Sequence, residues 1–475
     1  MVLPKQKLFL LIILLVIFGL LILTTQKEAV LSTFLLFSFV SVSGLILCEK
    51  LRVSLNDPNL NVLGHFWLLK LAITFILLFV GWIPRLDPAS ADWGYDPQQY
   101  YVYAQELVDN HWIFLRAANY VGIMYYYGAI FFVFGHNPVI PALINSFITL
   151  IASLFLIKVG YQIKREIERR DWTIAWVLLL PEILWYDILP SRETILGALI
   201  IFTLLTIGLY LLRKPSISLF RVLIVIGLSL IGIAAIRTSM LIPTLIAIFL
   251  LMFTINQKSG SNITKNIIPF FLIVLFLTQG LIFSIFKNNS TFGILDSILA
   301  ATSAKENVVS VLTHNENSIS ALLYPEGILQ SLLFLPPRMV LYLVSPLPYI
   351  SISLIDMWEG DWQAWQKLFT ILSSVFNIIA MPYVLASLIQ SIKNRKQNSA
   401  PLIFNISFWL TFIAIAGGNL ILHERYRVMS TILFFGCAWL GARTSPRKLI
   451  NRTKLSWYGL LGLSALSFMV YKFAF

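Results

Sequence analysis

Residues 29–47 read AVLSTFLLFSFVSVSGLIL and contain no charged side chain. A helix needs about 20 mostly apolar residues to cross a hydrocarbon layer of about 30 Å. Similar runs lie at Leu8–Leu23, Leu68–Ile83 and Ile267–Phe286. Of the 475 residues, 58% are hydrophobic and 12% are charged, whereas soluble domains carry about 45–50% apolar and about 25% charged residues. The sequence therefore predicts an all-α fold, a polytopic transmembrane helix bundle.

The distribution of Lys and Arg sets the predicted topology, because cytoplasmic loops of membrane proteins carry an excess of both. Together with the apolar runs it predicts about 13 spans, with the N-terminus inside. The predicted spans are 7–24, 29–48, 66–83, 139–158, 173–189, 194–212, 222–236, 240–255, 267–286, 368–390, 402–421, 428–441 and 456–474. Two further apolar stretches, 119–134 and 328–350, are interrupted by polar residues or prolines, and we expect interfacial helices there.

The chain divides into four predicted regions. Residues 1–64 form an N-terminal transmembrane helix pair, and 65–286 form a transmembrane core whose first external loop is 84–138. Residues 287–367 form a long external or interfacial loop, and 368–475 form the C-terminal transmembrane helices. The net charge of +13 does not indicate nucleic-acid binding, because the predicted topology places the positive charge in cytoplasmic loops. Two cysteines, Cys48 and Cys437, offer neither a disulfide framework nor metal-ligand spacing.

The first external loop contains the sequence Gly94-Tyr-Asp-Pro-Gln-Gln-Tyr-Tyr101. Tyr100, Ala104 and Leu107 fall on one face of a helix, which predicts an amphipathic helix in the membrane interface. Asp96 stands before Pro97 and three residues before Gln99, which is also typical of a helix-capping box. The alternative role for Asp96 is a carboxylate that takes a proton from an acceptor hydroxyl. Both interpretations stay open at this point.

Three further polar groups lie at predicted external ends of spans. The first is the turn holding Asp187, Arg192 and Glu193. These charges could be membrane anchors or helix caps, yet three consecutive polar residues, 191–193, in so short a turn are more than anchoring requires. The second is Arg237, which could be a snorkelling anchor or a phosphate ligand. The third is the pentapeptide His423-Glu424-Arg425-Tyr426-Arg427, a dense donor set for phosphate or a charge cluster neutralised by Glu424. A single histidine, His423, is weak evidence for a metal site.

In their order and predicted sidedness, these motifs resemble the GT-C superfamily of integral-membrane glycosyltransferases, such as the protein O-mannosyltransferases and aminoarabinose transferases. An Asp in the first external loop precedes an interfacial aromatic helix, and a Tyr-Tyr-Gly to His-Asn-Pro stretch at 126–138 leads into the next span. Short external turns then carry Arg192-Glu193 and Arg237, and an Arg-Tyr-Arg element at 425–427 opens a late span. The resemblance covers about residues 66–255 and 402–441.

The resemblance implies a polyprenyl-phosphate sugar donor, a lipid, glycan or protein acceptor, and surrounding membrane lipids as partners. It implies Asp96 as the catalytic residue and Arg237, Arg425 and Arg427 as ligands of the donor phosphate and lipid. The residues expected to support the site or the acceptor are Tyr100, Asp187, Arg192, Glu193, Arg338, Glu359, His423 and Glu424. The one cofactor that the resemblance allows is a divalent metal. The family often has Asp-Glu at the catalytic position, whereas Pro97 follows Asp96 here, and this departure puts assistance by such a metal in doubt.

The expected function is transfer of one sugar at the external face of a bacterial inner membrane. A polysaccharide polymerase or ligase is the first alternative, and it would not need Asp96. A flippase or transporter of lipid-linked oligosaccharides is the second. It predicts charged residues along a central pathway, and in this sequence Glu182 is the main candidate for such a position.

Overall fold

The computed structural model describes residues 11–12, 15–16, 19, 29–87, 96–113, 121–163, 172–212, 218–256, 328–345, 354–395, 400–418 and 424–474. Within these ranges the chain forms helices and no strand, which confirms the predicted all-α class. Most of the predicted span 7–24, all of the span 267–286 and much of the loop 287–367 lie outside the described residues.

Fifteen α-helices are described, and short 3-10 or π turns connect several of them. The helices are α1 Val30–Leu55, α2 Val62–Leu77, α3 Asp96–Asp109, α4 Val121–Phe134, α5 Val139–Ile163, α6 Pro181–Asp187, α7 Arg192–Leu211, α8 Leu219–Ile236, α9 Leu241–Asn256, α10 Ile328–Val344, α11 Leu354–Trp358, α12 Trp362–Lys393, α13 Leu402–Gly418, α14 Val428–Thr444 and α15 Arg447–Ala474. The shorter turns are Pro58–Asn61, Leu78–Trp82, Ile83–Leu86, Trp172–Leu179, Thr238–Met240 and Glu424–Arg427.

Six helical segments in the described part of the chain are long and apolar enough to cross a membrane. They are Val30–Leu55, Pro58–Leu86, Val139–Ile163, Arg192–Leu211, Leu219–Ile236 and Trp362–Lys393. Each overlaps one of the predicted spans, and together they indicate a membrane-embedded protein. The predicted spans at 240–255 and 402–421 form shorter apolar helices, as do the two stretches expected in the interface.

The predicted span 173–189 is interrupted near its middle in the structure. The structure has a 3-10 segment at Trp172–Leu179, an extended residue at Leu180 (φ −62°, ψ 125°), and then the seven-residue helix α6. Pro181 explains the break, because a proline disfavours helical geometry in the residue before it and has no amide to donate. The short helix α6 carries both Glu182 and Asp187 into the interior of the bundle.

Helix α7 is the central element. It packs against α5, α8, α9, α13 and α14, and it is the most enclosed of the six long apolar helices. The outer helices instead expose large apolar side chains, such as Phe220 and Leu228 on α8, as lipid-facing surfaces do. Because other helices surround α7, its first residues lie at the centre of one end of the bundle.

Candidate functional site

The candidate site lies where three helical segments begin. Asp96 opens α3, Arg192 and Glu193 open α7, and Arg425 lies in the turn before α14. Arg425 Nη2 lies 2.8 Å from Asp96 Oδ2, and Arg425 Nε lies 4.0 Å from Glu193 Oε1. Arg192 Nη2 lies 3.9 Å from Asp96 Oδ2, and Arg192 Nε donates to Glu193 Oε1 at 3.2 Å. These four side chains, called here the charge cluster, form a ring of alternating charge.

The four members differ in their access to solvent. The exposed fraction is 32% for the Asp96 side chain, 13% for Arg425, 4% for Glu193 and 1% for Arg192. The described ion pairs of the Asp96 carboxylate are with the two arginines. Its carboxylate is therefore the accessible acid of the charge cluster.

Arg237 extends the positive side of the charge cluster. Its guanidinium carbon lies 4.9 Å from the centroid of the Tyr426 ring, and that of Arg425 lies at the same distance. Arg425 Nη2 also donates to the Tyr426 hydroxyl at 2.9 Å, while Arg237 Nε donates to Ser239 Oγ at 3.3 Å. Arginine stacks on aromatic faces in this way and keeps its planar N–H fork for other partners. The three arginines outnumber the two carboxylates, so the group carries an excess positive charge.

Burial and neighbouring charges shift the pKa of two side chains at this site. It raises the pKa of the Tyr100 hydroxyl well above its usual range; Arg192 opposes that rise, and Asp96 and Glu193 add to it. Tyr100 is therefore a neutral donor beside the charge cluster. Burial lowers the pKa of Arg425, but Glu193, Tyr426 and Asp96 raise it by more, so the net shift is upward and the guanidinium stays charged.

Arg427, two residues from Arg425, lies in a different environment. Its side chain is buried, and its Nε pairs with Glu182 of α6. Its Nη1 donates to the carbonyl oxygens of Tyr342 and Ser345, both at 2.8 Å, and Nη2 donates to that of Thr370 at 3.4 Å. Thr431 completes the group by donating to Glu182 Oε2 at 2.6 Å. Arg427 therefore ties α14 to α6, α10 and α12, and the structure places it outside the charge cluster.

Asp187 is also an interior group. Its Oδ2 lies 2.7 Å from Lys70 Nζ, both side chains are fully buried, and Thr149 Oγ1 lies 2.8 Å from each of these two atoms. Lys70 is not among the residues that the sequence analysis singles out. A lone lysine inside the apolar run Leu68–Ile83 is, however, a visible sign of a buried polar contact.

Arg85 is a second missed residue. Its side chain is buried, its guanidinium stacks 3.5 Å over the Trp362 ring, and its Nη2 donates to Gln366 Oε1. Gln98 of α3 is also buried, and its side-chain amide donates to the carbonyl oxygen of Arg85. These contacts hold the start of α3 against the start of α12, which fixes Asp96 relative to the bundle.

The remaining predicted residues lie on other segments. Arg338 is buried on α10, and Glu359 is exposed after α11. Glu424 lies in the turn before α14, and His423 lies outside the described residues. In the described part of the chain, no three His, Cys, Asp or Glu side chains group as metal ligands would. Arg425 bridges the two carboxylates of the charge cluster, Asp96 and Glu193.

Three comparisons with known proteins complete the description of the site. No protein-family model, no curated protein and no solved structure matches the chain.

Proposed function

We propose that the protein is a membrane glycosyltransferase that moves a sugar from a polyprenyl-phosphate donor to an acceptor hydroxyl at the external face. The observation that supports this most directly is the charge cluster, in which one accessible carboxylate, Asp96, lies beside an excess of arginine. A transfer of this kind needs one group to accept a proton and others to stabilise a leaving phosphate.

The donor phosphate is proposed to bind at Arg425 and Arg237, which share the ring of Tyr426. Guanidinium groups bind phosphate oxygens through two parallel N–H bonds, and a partly buried site strengthens the attraction. The phosphate would compete with Asp96 for Arg425 and would free a carboxylate oxygen for the acceptor. The polyprenyl chain would then lie along the lipid-facing helices.

In the proposed reaction the acceptor oxygen forms a bond to the anomeric carbon. The bond from that carbon to the phosphate oxygen breaks, and its electron pair stays on the phosphate. The acceptor proton passes to the Asp96 carboxylate. A single displacement of this kind inverts the anomeric configuration. Tyr100, buried beside the charge cluster, is a neutral donor that could orient the acceptor.

A transporter would need charged side chains that line a path through the bundle. Four of the interior charges among the described residues instead form two tight pairs, Lys70 with Asp187 and Arg427 with Glu182. All four side chains are at most 3% exposed. This arrangement favours the transferase proposal over the flippase alternative.

The test is Asp96→Asn, which keeps the size of the side chain but cannot accept the proton. Turnover, followed as release of polyprenyl phosphate from a panel of polyprenyl-phosphate sugars, should fall about 100-fold or more. The donor KM should not rise, because the arginines keep their charge. Asp109→Asn is the matched control, since Asp109 lies on the same helix with a 67% exposed side chain. It should leave turnover unchanged.

Thermal unfolding of both variants separates a catalytic effect from a folding effect. A folded Asp96→Asn protein with near-normal turnover would contradict the role of Asp96 as base. That result would favour the polymerase or ligase alternative, which does not need this carboxylate.

A further inference from the structure

A set of buried polar side chains surrounds the turn that leads into α7. We propose that Lys70, Tyr127, Asn145, Thr149 and Asp187, called here the turn frame, are positioning residues for the charge cluster. They hold residues 188–191 in one conformation. This conformation places Arg192 and Glu193 beside Asp96 and Arg425. This inference rests on the proposed function for its catalytic consequence, but its structural part can be tested without it.

The first half of the turn frame is the interior ion pair. Lys70 of α2, Thr149 of α5 and Asp187 of α6 lie within 2.8 Å of one another through their polar atoms, and none of them is exposed by more than 1%. Removing one partner of a buried ion pair strongly destabilises the fold, because it leaves an uncompensated charge. The pair therefore fixes the end of α6 against two other helices.

The second half of the turn frame binds the backbone of the turn itself. Asn145 Nδ2 donates to the carbonyl oxygens of Asp187 and Leu189, at 3.3 Å and 2.8 Å. The Tyr127 hydroxyl donates to the carbonyl of Ser191 at 3.1 Å and also lies 3.3 Å from Asn145 Oδ1. A buried carbonyl without a donor is costly. These side chains therefore specify which conformation of the turn is stable.

The turn ends directly at the charge cluster. Ser191 is extended (φ −104°, ψ 150°), and Arg192 is the first residue of α7. An arginine at the start of a helix opposes the positive end of the helix dipole. It is held there because Asp96 and Glu193 surround it and because the turn frame fixes the backbone before it. Loosening the turn should therefore loosen the charge cluster before it loosens the rest of the bundle.

The experiment measures the opening of the turn directly. Ser191→Cys is placed in a background in which Cys48 and Cys437, both buried, are replaced by alanine. Residue 191 is 1% exposed, so a membrane-impermeant maleimide should label the new cysteine slowly. Adding Tyr127→Phe removes one hydroxyl donor and should raise the labelling rate about fivefold, the effect of one lost hydrogen bond. Asn145→Ala removes two donated bonds and should raise it further.

Tyr126→Phe is the matched control, because no hydrogen bond of the Tyr126 hydroxyl to a described residue is seen and its ring packs at 5.0 Å from that of Tyr127. It should leave the labelling rate unchanged. The double variant Lys70→Met with Asp187→Asn removes both interior charges together and should also speed labelling. Unchanged labelling in Tyr127→Phe and Asn145→Ala proteins that fold would overturn the proposal.

Transfer kinetics separate this inference from the proposed function. If both hold, kcat of Tyr127→Phe falls several-fold more than the donor KM rises, because alignment and not binding is lost. If labelling rises but the parent protein transfers no sugar, the turn frame stands and the transferase proposal fails.

Discussion

Two arginines of one short segment have different partners. Arg425 faces Asp96 and Glu193 in a partly exposed cluster, whereas Arg427 is buried among one carboxylate and three carbonyl oxygens. The 3-10 turn Glu424–Arg427 produces this difference, because side chains two residues apart point to different sides of such a turn. The same residue type therefore belongs to a partly exposed cluster at one position and to the buried interior of the bundle at the other.

This difference gives a prediction for two matched substitutions. Arg425→Lys keeps the charge but loses the planar fork, so the donor KM should rise about tenfold, with little change in thermal stability. Arg427→Lys should instead lower the midpoint of thermal unfolding and the yield of folded protein, because a lysine cannot reach all the carbonyls that Arg427 binds. Its folded fraction should keep the donor KM of the parent protein. A raised donor KM in Arg427→Lys alone would contradict this division of roles.

At the level of elements, the sequence predicts the helices whose formation depends on a local pattern of apolar residues. The apolar period at Tyr100, Ala104 and Leu107 predicts α3, and the structure buries that face. Each of the six long apolar helices overlaps a predicted span. The length of the apolar run 173–189 predicts a span, but it does not predict that the helix restarts at Pro181.

The arrangement of the charges depends on contacts between distant residues. Arg427 and Glu182 are 245 residues apart, and Lys70 and Thr149 are 79 apart. No periodicity connects such pairs, so only the structure shows which charged residues belong to the site and which to the interior. The sequence identifies Asp96, Arg192, Glu193 and Arg425 as candidates, each from its own segment. That these four side chains lie together is shown only by the contacts in the structure.

The contact of α14 with α12 gives a second prediction. A Cβ atom added at Gly441 would lie 1.8 Å from the carbonyl oxygen of Tyr383, so Gly441→Ala forces the two helices apart. Overpacking of this kind usually costs about 1–3 kcal/mol, and a backbone clash lies at the upper end. The thermal midpoint should fall clearly. Gly459→Ala on α15 is the control, because a Cβ there meets no atom within 4 Å and alanine favours the helix. A midpoint for Gly441→Ala equal to that control would contradict the close approach.

At the scale of the whole molecule, the helices that reach the charge cluster share one direction. Helices α7 and α14 both begin at the cluster, and α12 begins beside it through the contact of Gln366 with Arg85. The far ends of α12 and α14, and the segment that follows α14, carry basic residues, namely Lys393, Arg395, Arg443, Arg447 and Lys448. Because cytoplasmic ends of spans are enriched in Lys and Arg, this polarity predicts that the charge cluster faces outward.

Labelling of single cysteines in intact cells tests that orientation. Asp109 and Glu359 are exposed near the cluster end, and Arg395 and Lys448 are exposed at the opposite end. Helix α12 has 32 residues and is about 48 Å long at 1.5 Å per residue, enough to separate the two ends by a full bilayer. In the background without Cys48 and Cys437, a membrane-impermeant maleimide should therefore label cysteines at 109 and 359. It should label those at 395 and 448 only after the cells are permeabilised. If the cysteine at 395 were labelled and that at 109 protected in intact cells, the site would face the cytoplasm. An acceptor outside the cell could then not reach Asp96.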